Sequence, residues 1–591
     1  MYQVTGNEFV SLPQIRQKDG VVENLTFLYM QAKGMIEMVG NDALMQPYFQ
    51  VDGRAVQTEK TWSRAHYWIP ACTAVDQDVR CACTYLSPVG ERGFVLHLTM
   101  KNQGQVQRSV RMGVCGEWLK TNHRVNETLT IEEGRSSVTS GWNHMFVFRQ
   151  RPGLPLFAFA PITSDDQPYS QIDQGADWIL NGYRYDIGKN LQLEGGEEQA
   201  LDVFFGLGYE EVAAATSAKE MLRQGYDALL EKTESWLAKR ERKALNPQLT
   251  YLLNTNLFFS FFFATGRTID TEELVMVTSR SPRYYVSAAY WDRDSLLWAF
   301  PSVLVTDCKY AKELLLSVYR KQGRNFGIHS RYIDGTVLEP GFELDELCAP
   351  VIALKTYVDQ TRDRDILKQP VITERLEDIL EKLEERRHPN VTMYSTFLQP
   401  TDDMHCYPYL TYDNALVVYV LRALGDMLDR PQLTHQAEQV KAAVEANCRI
   451  IENGRMMYAW SVNLQGQYDI YDEPPGSLQL LPWYGFCNWK DTVWLNTVAY
   501  IRNKDYELSF SGHPIAEIGC KHAPHPWVLS MCNSLLSGHT DTAVEHLNRT
   551  KMDNGIACES VNEDNGLCET GAAFATCAGF LSFALLHACG E

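Results

Sequence analysis

The segment YDNALVVYVLRALGDML (Tyr412–Leu428) is apolar on nearly every side of a helix, whereas ERLEDILEKLEERR (Glu374–Arg387) is charged over most of its surface. Helices that are apolar all round are buried, and amphipathic helices lie at the surface. About eleven segments of these kinds recur after residue 244. Their alternation predicts an inner and an outer ring of helices, which is an (α/α)6 barrel (six-hairpin toroid) over residues 244–591.

The N-terminal third has a different periodicity. Short alternating segments such as GFVLHLTMKN (Gly93–Asn102) and QALDVFFGLG (Gln199–Gly208) are separated by turn residues, which predicts an antiparallel β-sandwich over residues 1–208. Residues 209–243 are rich in Ala, Glu, Lys and Leu, and they predict a helical linker. The expected fold class is therefore mainly α with an N-terminal β domain.

Composition limits the function classes. A net charge of −20 and a pI of about 5.2 disfavour nucleic acid and anionic membrane, since both bind clustered Lys and Arg. The N-terminus has no secretory pattern, and the fifteen Cys are scattered in apolar segments, so we expect buried thiols and a cytoplasmic protein. The uncharged run Gly571–Leu586 is short for a membrane span and predicts a buried helix.

Long loops between the predicted helices combine acidic and aromatic residues, as in AAYWDRDS, QPTDDMHCYPYLT and MDNGIACESVNEDNGLCET. Loops of this length inside a compact domain are usually functional. Aromatic rings stack on pyranose faces and carboxylates bind hydroxyl groups, so the loops predict an oligosaccharide substrate.

Glycoside hydrolysis uses two carboxyl groups on opposite sides of the scissile bond. The adjacent Asp402 and Asp403 are expected to raise each other's proton affinity, which suits a general acid. They could instead be first-turn acids of a helix, but that helix is expected to start near Thr411. Glu559 lies in a Gly-containing loop with few charges before it, and it is the candidate base.

The stretch YWDRDS (Tyr290–Ser295) has two interpretations. It is either an Asp-capped helix with an Arg–Asp ion pair or a sugar site, in which Arg293 and Asp294 bind hydroxyls and Trp291 is a stacking wall. His522 and His525 have a metal-binding spacing, but Pro524 and Pro526 argue against a helix. We therefore expect no metal and no cofactor, with His522 hydrogen-bonding the substrate.

Five stretches, in order, resemble the metal-independent exo-α-mannosidases of glycoside hydrolase family 125, which have an (α/α)6 barrel. They are WDRDSLLWAFP, FELDELCAPVIAL, QPTDDMHCYPYLTYDNALVV, AEIGCKHAPHPWVLSM and CESVNEDNGLCETGAAFA. The resemblance implies an inverting exo-acting hydrolase with Asp402 or Asp403 as acid and Glu559 as base. We slightly favour Asp403, which is nearer the helix. The resemblance also implies that the sugar site nearest the cleaved bond is lined by Arg293, Asp294, Asp345 and His522.

The chain departs from the family pattern at Thr401, where the family has Ser, at Cys558, where it has His, and in the loop IGCKHAP. Its N-terminal sandwich resembles glucoamylase-type (α/α)6 enzymes. The alternatives are therefore an α-glucosidase of glucoamylase type, a phosphorylase or lyase on the same scaffold, and a carbohydrate-binding protein without activity.

Overall fold

The computed structural model describes residues 1–151, 153–164, 169–174 and 182–590. It divides the chain into two compact units. Unit 1 comprises Met1–Glu241, Thr265–Val275 and Arg280–Ala288, and unit 2 comprises Arg242–Ala264, Met276–Ser279 and Ala289–Glu591. The division expected from the sequence, at 1–208, 209–243 and 244–591, stays a prediction.

Unit 1 contains three antiparallel sheets, with strand orders β1-β2-β3-β4-β12-β13, β14-β15-β16-β19-β10-β9-β8-β7 and β17-β18-β11-β5-β6. The strands are β1 Tyr2–Gly6, β2 Ser11–Arg16, β3 Asn24–Tyr29, β4 Gly34–Val39, β5 Gln46–Val51, β6 Arg54–Ala55, β7 Thr61–Ala65, β8 Ile69–Asp76, β9 Val79–Leu86, β10 Gly93–Asn102, β11 Arg108–Trp118, β12 Lys120–Arg124, β13 Thr128–Ile131, β14 Arg135–Thr139, β15 Phe146–Gln150, β16 Phe157–Thr163, β17 Tyr169–Gln174, β18 Tyr183–Leu193 and β19 Glu198–Gly208.

Alternating side chains of these strands form the core of unit 1. Phe205 stacks on Phe94 and Phe159, with ring centroids 4.9 and 5.3 Å apart. Helices α1 (Glu211–Gln224) and α2 (Tyr226–Ala238) follow β19. The stretch predicted as a linker is helical, and α1 packs on β16 and β19 of unit 1.

Unit 2 is mainly helical. A π-helix at Arg293–Ala299 continues into α4, and 3₁₀ turns occupy Pro474–Gly476 and Leu478–Leu480. The α-helices are α3 Pro247–Phe263, α4 Phe300–Thr306, α5 Cys308–Lys321, α6 Leu344–Thr361, α7 Pro370–Arg386, α8 Thr411–Met427, α9 Pro431–Asn447, α10 Thr492–Ile501, α11 Val528–Leu536, α12 Thr540–Arg549 and α13 Ala575–Cys589.

Short strands lie in the connections. They are β20 Thr265–Arg267, β21 Leu274–Met276, β22 Ile328–Arg331, β23 Val337–Phe342, β24 Tyr409–Leu410, β25 Arg449–Glu452, β26 Arg455–Tyr458, β27 Ser461–Val462, β28 Tyr468–Asp469, β29 Ser560–Val561 and β30 Cys568–Thr570.

Burial separates the helices of unit 2 into two classes. Fourteen of the seventeen residues of α8 are buried, against four of the seventeen in α7. The π-helix contacts α6 and α13, α6 contacts α8, and α13 contacts α11. The 474–480 segment contacts α11 through a hydrogen bond from Asn533 to the carbonyl of Pro474 (2.8 Å). These buried helices therefore form the predicted inner ring, with α5, α7, α9, α10 and α12 outside it.

The run Gly571–Leu586 lies mostly in the buried helix α13, as expected. Among the described residues, no helix is both long and apolar enough to cross a membrane.

Candidate active site

A buried guanidinium gathers carboxylates from three segments of unit 2. Arg293, 2% exposed, donates through Nη1 to Glu343 (2.8 Å) and Asp345 (3.1 Å), and through Nη2 to Asp402 (2.6 Å). Asp294 lies 3.7 Å from its Nε. Of the residues predicted from the sequence, Arg293, Asp294, Asp345 and Asp402 are thus in one cluster.

The ends of the inner helices bring these groups together. Arg293 is the first residue of the π-helix, Glu343 immediately precedes α6, and Asp345 is in the first turn of α6. Acidic groups are favoured at helix N-termini by the helix dipole. Asp402 lies well before α8, which begins at Thr411, so the first-turn interpretation of the Asp pair does not hold.

Burial raises the proton affinity of two carboxyls of the cluster, Asp294 and Glu343. It raises the pKa of Asp294 to about 7 and that of Glu343 to about 7, although the charge of Arg293 opposes the rise. Burial alone would lower the pKa of Arg293, but Asp402, Asp345 and Glu343 raise it well above its ordinary value. The guanidinium is therefore the permanent charge of the site.

His329 completes the cluster on the side of Glu343. Its Nδ1 lies 2.5 Å from Glu343 and 3.7 Å from Asp402, and the ring of Trp291 meets it edge to face at 5.6 Å. His329, Glu343 and Asp402 each offer one potential metal-ligand atom, all within 4.8 Å of one another. Arg293 already supplies a positive charge to both carboxylates. The metal-free site remains a prediction.

Asp403 has a different partner from its neighbour. Its Oδ2 lies 2.8 Å from Nδ1 of His522, and both side chains are partly exposed, at 41% and 37%. The hydrogen bond with His522 lowers the pKa of Asp403 below its ordinary value. The expectation that the adjacent Asp residues raise each other's proton affinity is therefore wrong for Asp403, because the two side chains diverge to separate cations.

Glu473, which the sequence analysis missed, anchors the loop that carries the Asp pair. It is fully buried and accepts hydrogen bonds from the backbone N–H (2.8 Å) and the hydroxyl (2.7 Å) of Thr401. Asp402 itself has a left-handed backbone, at φ +66°. Glu473 thus holds Thr401 in place, and the chain turns at the next residue, Asp402.

Glu559 lies on a segment connected to the His522 loop. Its side chain is 4% exposed, and its carbonyl accepts the N–H of Val528 at the start of α11 (3.0 Å). Trp527 forms a β-bridge with Ser560, and its ring centroid lies 5.6 Å from that of His522. Contacts therefore run from Asp403 through His522 and Trp527 to the Glu559 segment.

The remaining predicted residues have distinct environments. Trp291 is 4% exposed, which leaves only a small part of its ring for stacking. Asp294 accepts a hydrogen bond from Thr576 of α13 (3.2 Å). His525 lies 2.9 Å from Glu563, so the two loop histidines have separate carboxylate partners.

The residues missed from the sequence are mainly Glu343, Glu473 and His329. Glu343 stands within the quoted motif FELDEL, and Glu473 within the long loop DEPPGSLQLLPWYGFCNW. An acidic residue directly before an apolar helix was the available signal for Glu343. His329 lies on the short strand β22, and nothing in its neighbourhood marks it.

We expect His522→Ala to change stability in a pH-dependent way. The pKa of His522 is raised from 6.5 to about 11 by Asp403 and Cys520, so its contribution is fully present below about pH 6.5 and is lost as pH rises towards 11. Asp403, whose pKa is lowered, loses its contribution only in acid. Melting temperatures of parent and variant should therefore differ most near pH 6 and converge in alkali.

Because the pair is more than one-third exposed, the difference is expected to be modest and to shrink in high salt. His435→Ala, on the exposed face of α9, is the matched control and should show no pH-dependent difference. A His522→Ala deficit that stays constant through alkaline pH would contradict the ion pair.

Comparisons with known proteins agree with this architecture. The family model described as metal-independent alpha-mannosidase (GH125) matches residues 385–583. No curated protein sequence matches the chain significantly.

Solved structures extend the likeness over the whole chain. A bacterial glucoamylase complexed with acarbose has a TM-score of 0.62 at 12% identity, covering 99% of this chain and 94% of that chain. A putative kojibiose phosphorylase from the human microbiome has a TM-score of 0.61 at 10% identity, covering 99% and 86%. The predicted fold class, an antiparallel β-sandwich followed by an (α/α)6 barrel, is confirmed.

A metal-independent α-mannosidase of Streptococcus pneumoniae, in a non-productive complex with α-1,6-mannobiose, has a TM-score of 0.50 at 16% identity. It covers 62% of this chain and 98% of that chain. At these identities the structures show the fold, and the family match supports a glycoside hydrolase. The resemblance to GH125 is thus confirmed over residues 385–583, which contain three of the five motifs.

Proposed function

We propose that this protein is an inverting, exo-acting glycoside hydrolase that releases α-linked mannose from non-reducing ends without a metal. The observation that carries the proposal is the Arg293 cluster, in which buried carboxylates surround one guanidinium while Asp402 stays 37% exposed. A buried group of charged side chains of this kind suits the binding of a terminal sugar, whose hydroxyls can replace water as hydrogen-bond partners. The GH125 match over residues 385–583 supports α-mannosides as substrates.

The partners of the two Asp residues favour Asp403 as the general acid. Arg293 cannot give up a proton at ordinary pH, so protonating Asp402 would sacrifice its ion pair. His522, by contrast, is titratable and lies 2.8 Å from Asp403. The proton of this pair rests on His522, whose pKa is raised to about 11. We propose that it crosses to Asp403 as Asp403 protonates the leaving oxygen and the glycosidic bond breaks, and that solvent re-protonates His522 after the product departs.

Glu559 is the proposed base. A carboxylate on the far face of the sugar takes a proton from water as that water attacks the anomeric carbon, and the two carboxyls of an inverting enzyme lie about 6.5–9.5 Å apart to leave room for it. The contacts from Asp403 through His522 and Trp527 support this pairing, because they connect the two loops. Cys558, which replaces the family's His, is buried beside Glu559.

The other site residues bind or position the terminal sugar. Asp402 and Asp294 are proposed to accept sugar hydroxyls. Asp345 is 1% exposed, so it acts through Arg293 as a positioning residue. His522 serves Asp403 and faces the leaving group, while Trp291 presents an edge to the sugar.

Replacing Glu559 by Gln should lower kcat for α-mannosides by about 10²–10⁴-fold, the usual contribution of a general base. The substitution keeps size and removes the proton acceptor, so the melting temperature should change little. Glu563→Gln is the matched control, because Glu563 lies in the same loop and pairs with His525 instead. Unchanged turnover in Glu559→Gln would rule out this base.

The two Asp variants should differ in their dependence on the leaving group. Asp403→Asn is expected to lose activity on alkyl mannosides and retain most of it on aryl mannosides with acidic phenols, because such phenols depart without a proton. Asp402→Asn should lose activity on both, since it weakens sugar binding by the cluster. The opposite pattern would assign the acid to Asp402.

The anomer of the first-formed sugar tests the stereochemistry. NMR during early turnover of an α-mannoside should show β-mannose before mutarotation, and α-mannose would contradict inversion. The same assay on α-glucosides separates the glucoamylase-type alternative. Turnover that requires phosphate would indicate a phosphorylase, and binding without turnover of either sugar would indicate a carbohydrate-binding protein.

A further inference from the structure

A second cleft lies in unit 2, apart from the carboxylate cluster. The hairpin β25–β26 and the C-terminal half of α10 with the turn after it enclose about 270 Å³. Its polar lining residues include Glu452, Asn453, Arg455, Tyr500, Asn503 and Asp505. None of them takes part in the candidate active site.

The walls of this cleft are held together by hydrogen bonds. The amide of Asn496 on α10 donates to the carbonyl of Met456 on β26 (2.9 Å), and Thr497 accepts the N–H of Tyr458 (2.9 Å). The hairpin turn, Asn453–Gly454, has φ values of +50° and +75°, as two-residue turns between twisted strands require. The cleft is therefore preformed, which reduces the entropic cost of binding.

The lining favours a neutral, hydroxyl-rich ligand. The side chains of Asn453 and Asn503 are exposed and that of Tyr500 is half-buried, so their polar groups are solvated and can exchange water for ligand hydroxyls. Two carboxylates against one guanidinium disfavour phosphates and other anions. Among the described residues, the group of potential metal ligands is elsewhere, at His329, Glu343 and Asp402. The polar lining disfavours an apolar ligand.

We infer that this cleft is a second carbohydrate-binding site that takes one or two neutral pyranose units. Asn453, Asn503 and the carboxylates bond vicinal hydroxyls, and the half-buried ring of Tyr500 stacks on the apolar face of the sugar. Its volume is slightly below the roughly 300–1,000 Å³ of small-molecule pockets, which fits a short piece of glycan rather than a long one.

Contacts connect the cleft to the catalytic loop. Tyr500 lies 6.4 Å from Tyr506 between ring centroids, and the hydroxyl of Tyr506 donates to the carbonyl of Asp472 (2.8 Å). The next residue, Glu473, anchors Thr401 ahead of the Asp pair. Ring and hydrogen-bond contacts therefore connect the cleft to the segment that positions Asp402.

Hydrogen–deuterium exchange of the full chain tests the inference. The Glu559→Gln protein, which should not consume substrate, is incubated with methyl α-mannoside, methyl α-glucoside, methyl β-galactoside and N-acetylglucosamine, with glycerol as the additive control. At least one sugar should protect peptides covering Arg449–Tyr458 and residues 496–506. The protection should disappear in Tyr500→Ala and in Asn503→Ala.

Leu495→Ala is the matched control, because Leu495 is 47% exposed on α10 and does not line the cleft; it should retain the protection. Protection in neither segment with any of the sugars, or protection that survives both cleft variants, would overturn the inference. Peptides covering residues 399–405 and 520–527 report the active site in the same experiment. Absence of sugar binding in the cleft is therefore distinguishable from absence of sugar binding in the proposed active site.

Discussion

The site depends on one buried positive charge among carboxylates of like sign. Arg293 holds Glu343, Asp345 and Asp402 within 3.1 Å, and these groups come from the start of α6 and from the loop before α8. Removing a partner from a buried ion pair leaves an uncompensated charge, which is strongly destabilising. The same contacts that stabilise the end of the ring therefore also shape the pocket that we propose for the terminal sugar.

Asp402 and Asp403 differ because each pairs with a different cation, Arg293 for Asp402 and His522 for Asp403. Arg293 keeps its charge over the whole physiological range, so Asp402 has a permanent cationic partner. His522 holds the proton of the other pair, with a pKa of about 11, and we propose that Asp403 draws on this proton during turnover. Two identical side chains, adjacent in sequence, thereby have different partners, and we propose different chemical roles for them, because the Thr401–Asp402 turn directs them apart. Glu473, which bonds Thr401 through both of its oxygens, holds that turn in place.

The fold could be predicted because the spacing of apolar residues within a single segment indicates how deeply that segment is buried. The contrast between α7 and α8 is visible in single segments, and the alternating strands of unit 1 are equally local. The cluster was only partly predictable. Motifs located Arg293, Asp345 and Asp402, but Glu473 meets Thr401 from 72 residues away, a separation that composition and spacing do not encode. The reasoning about neighbouring charges failed at Asp403 because it assumed that adjacent side chains face each other.

The π-helix at Arg293–Ala299 has a consequence for how the pocket can evolve. A π-turn accommodates one more residue than the α-helical turn it replaces, and each residue of an α-helix advances the side-chain direction by about 100°. Loss of a single codon from these seven would restore ordinary winding and swing the guanidinium away from its carboxylates. Insertions and deletions in this segment are therefore forbidden more strictly than most substitutions, and its length is as much a part of the pocket as its residues.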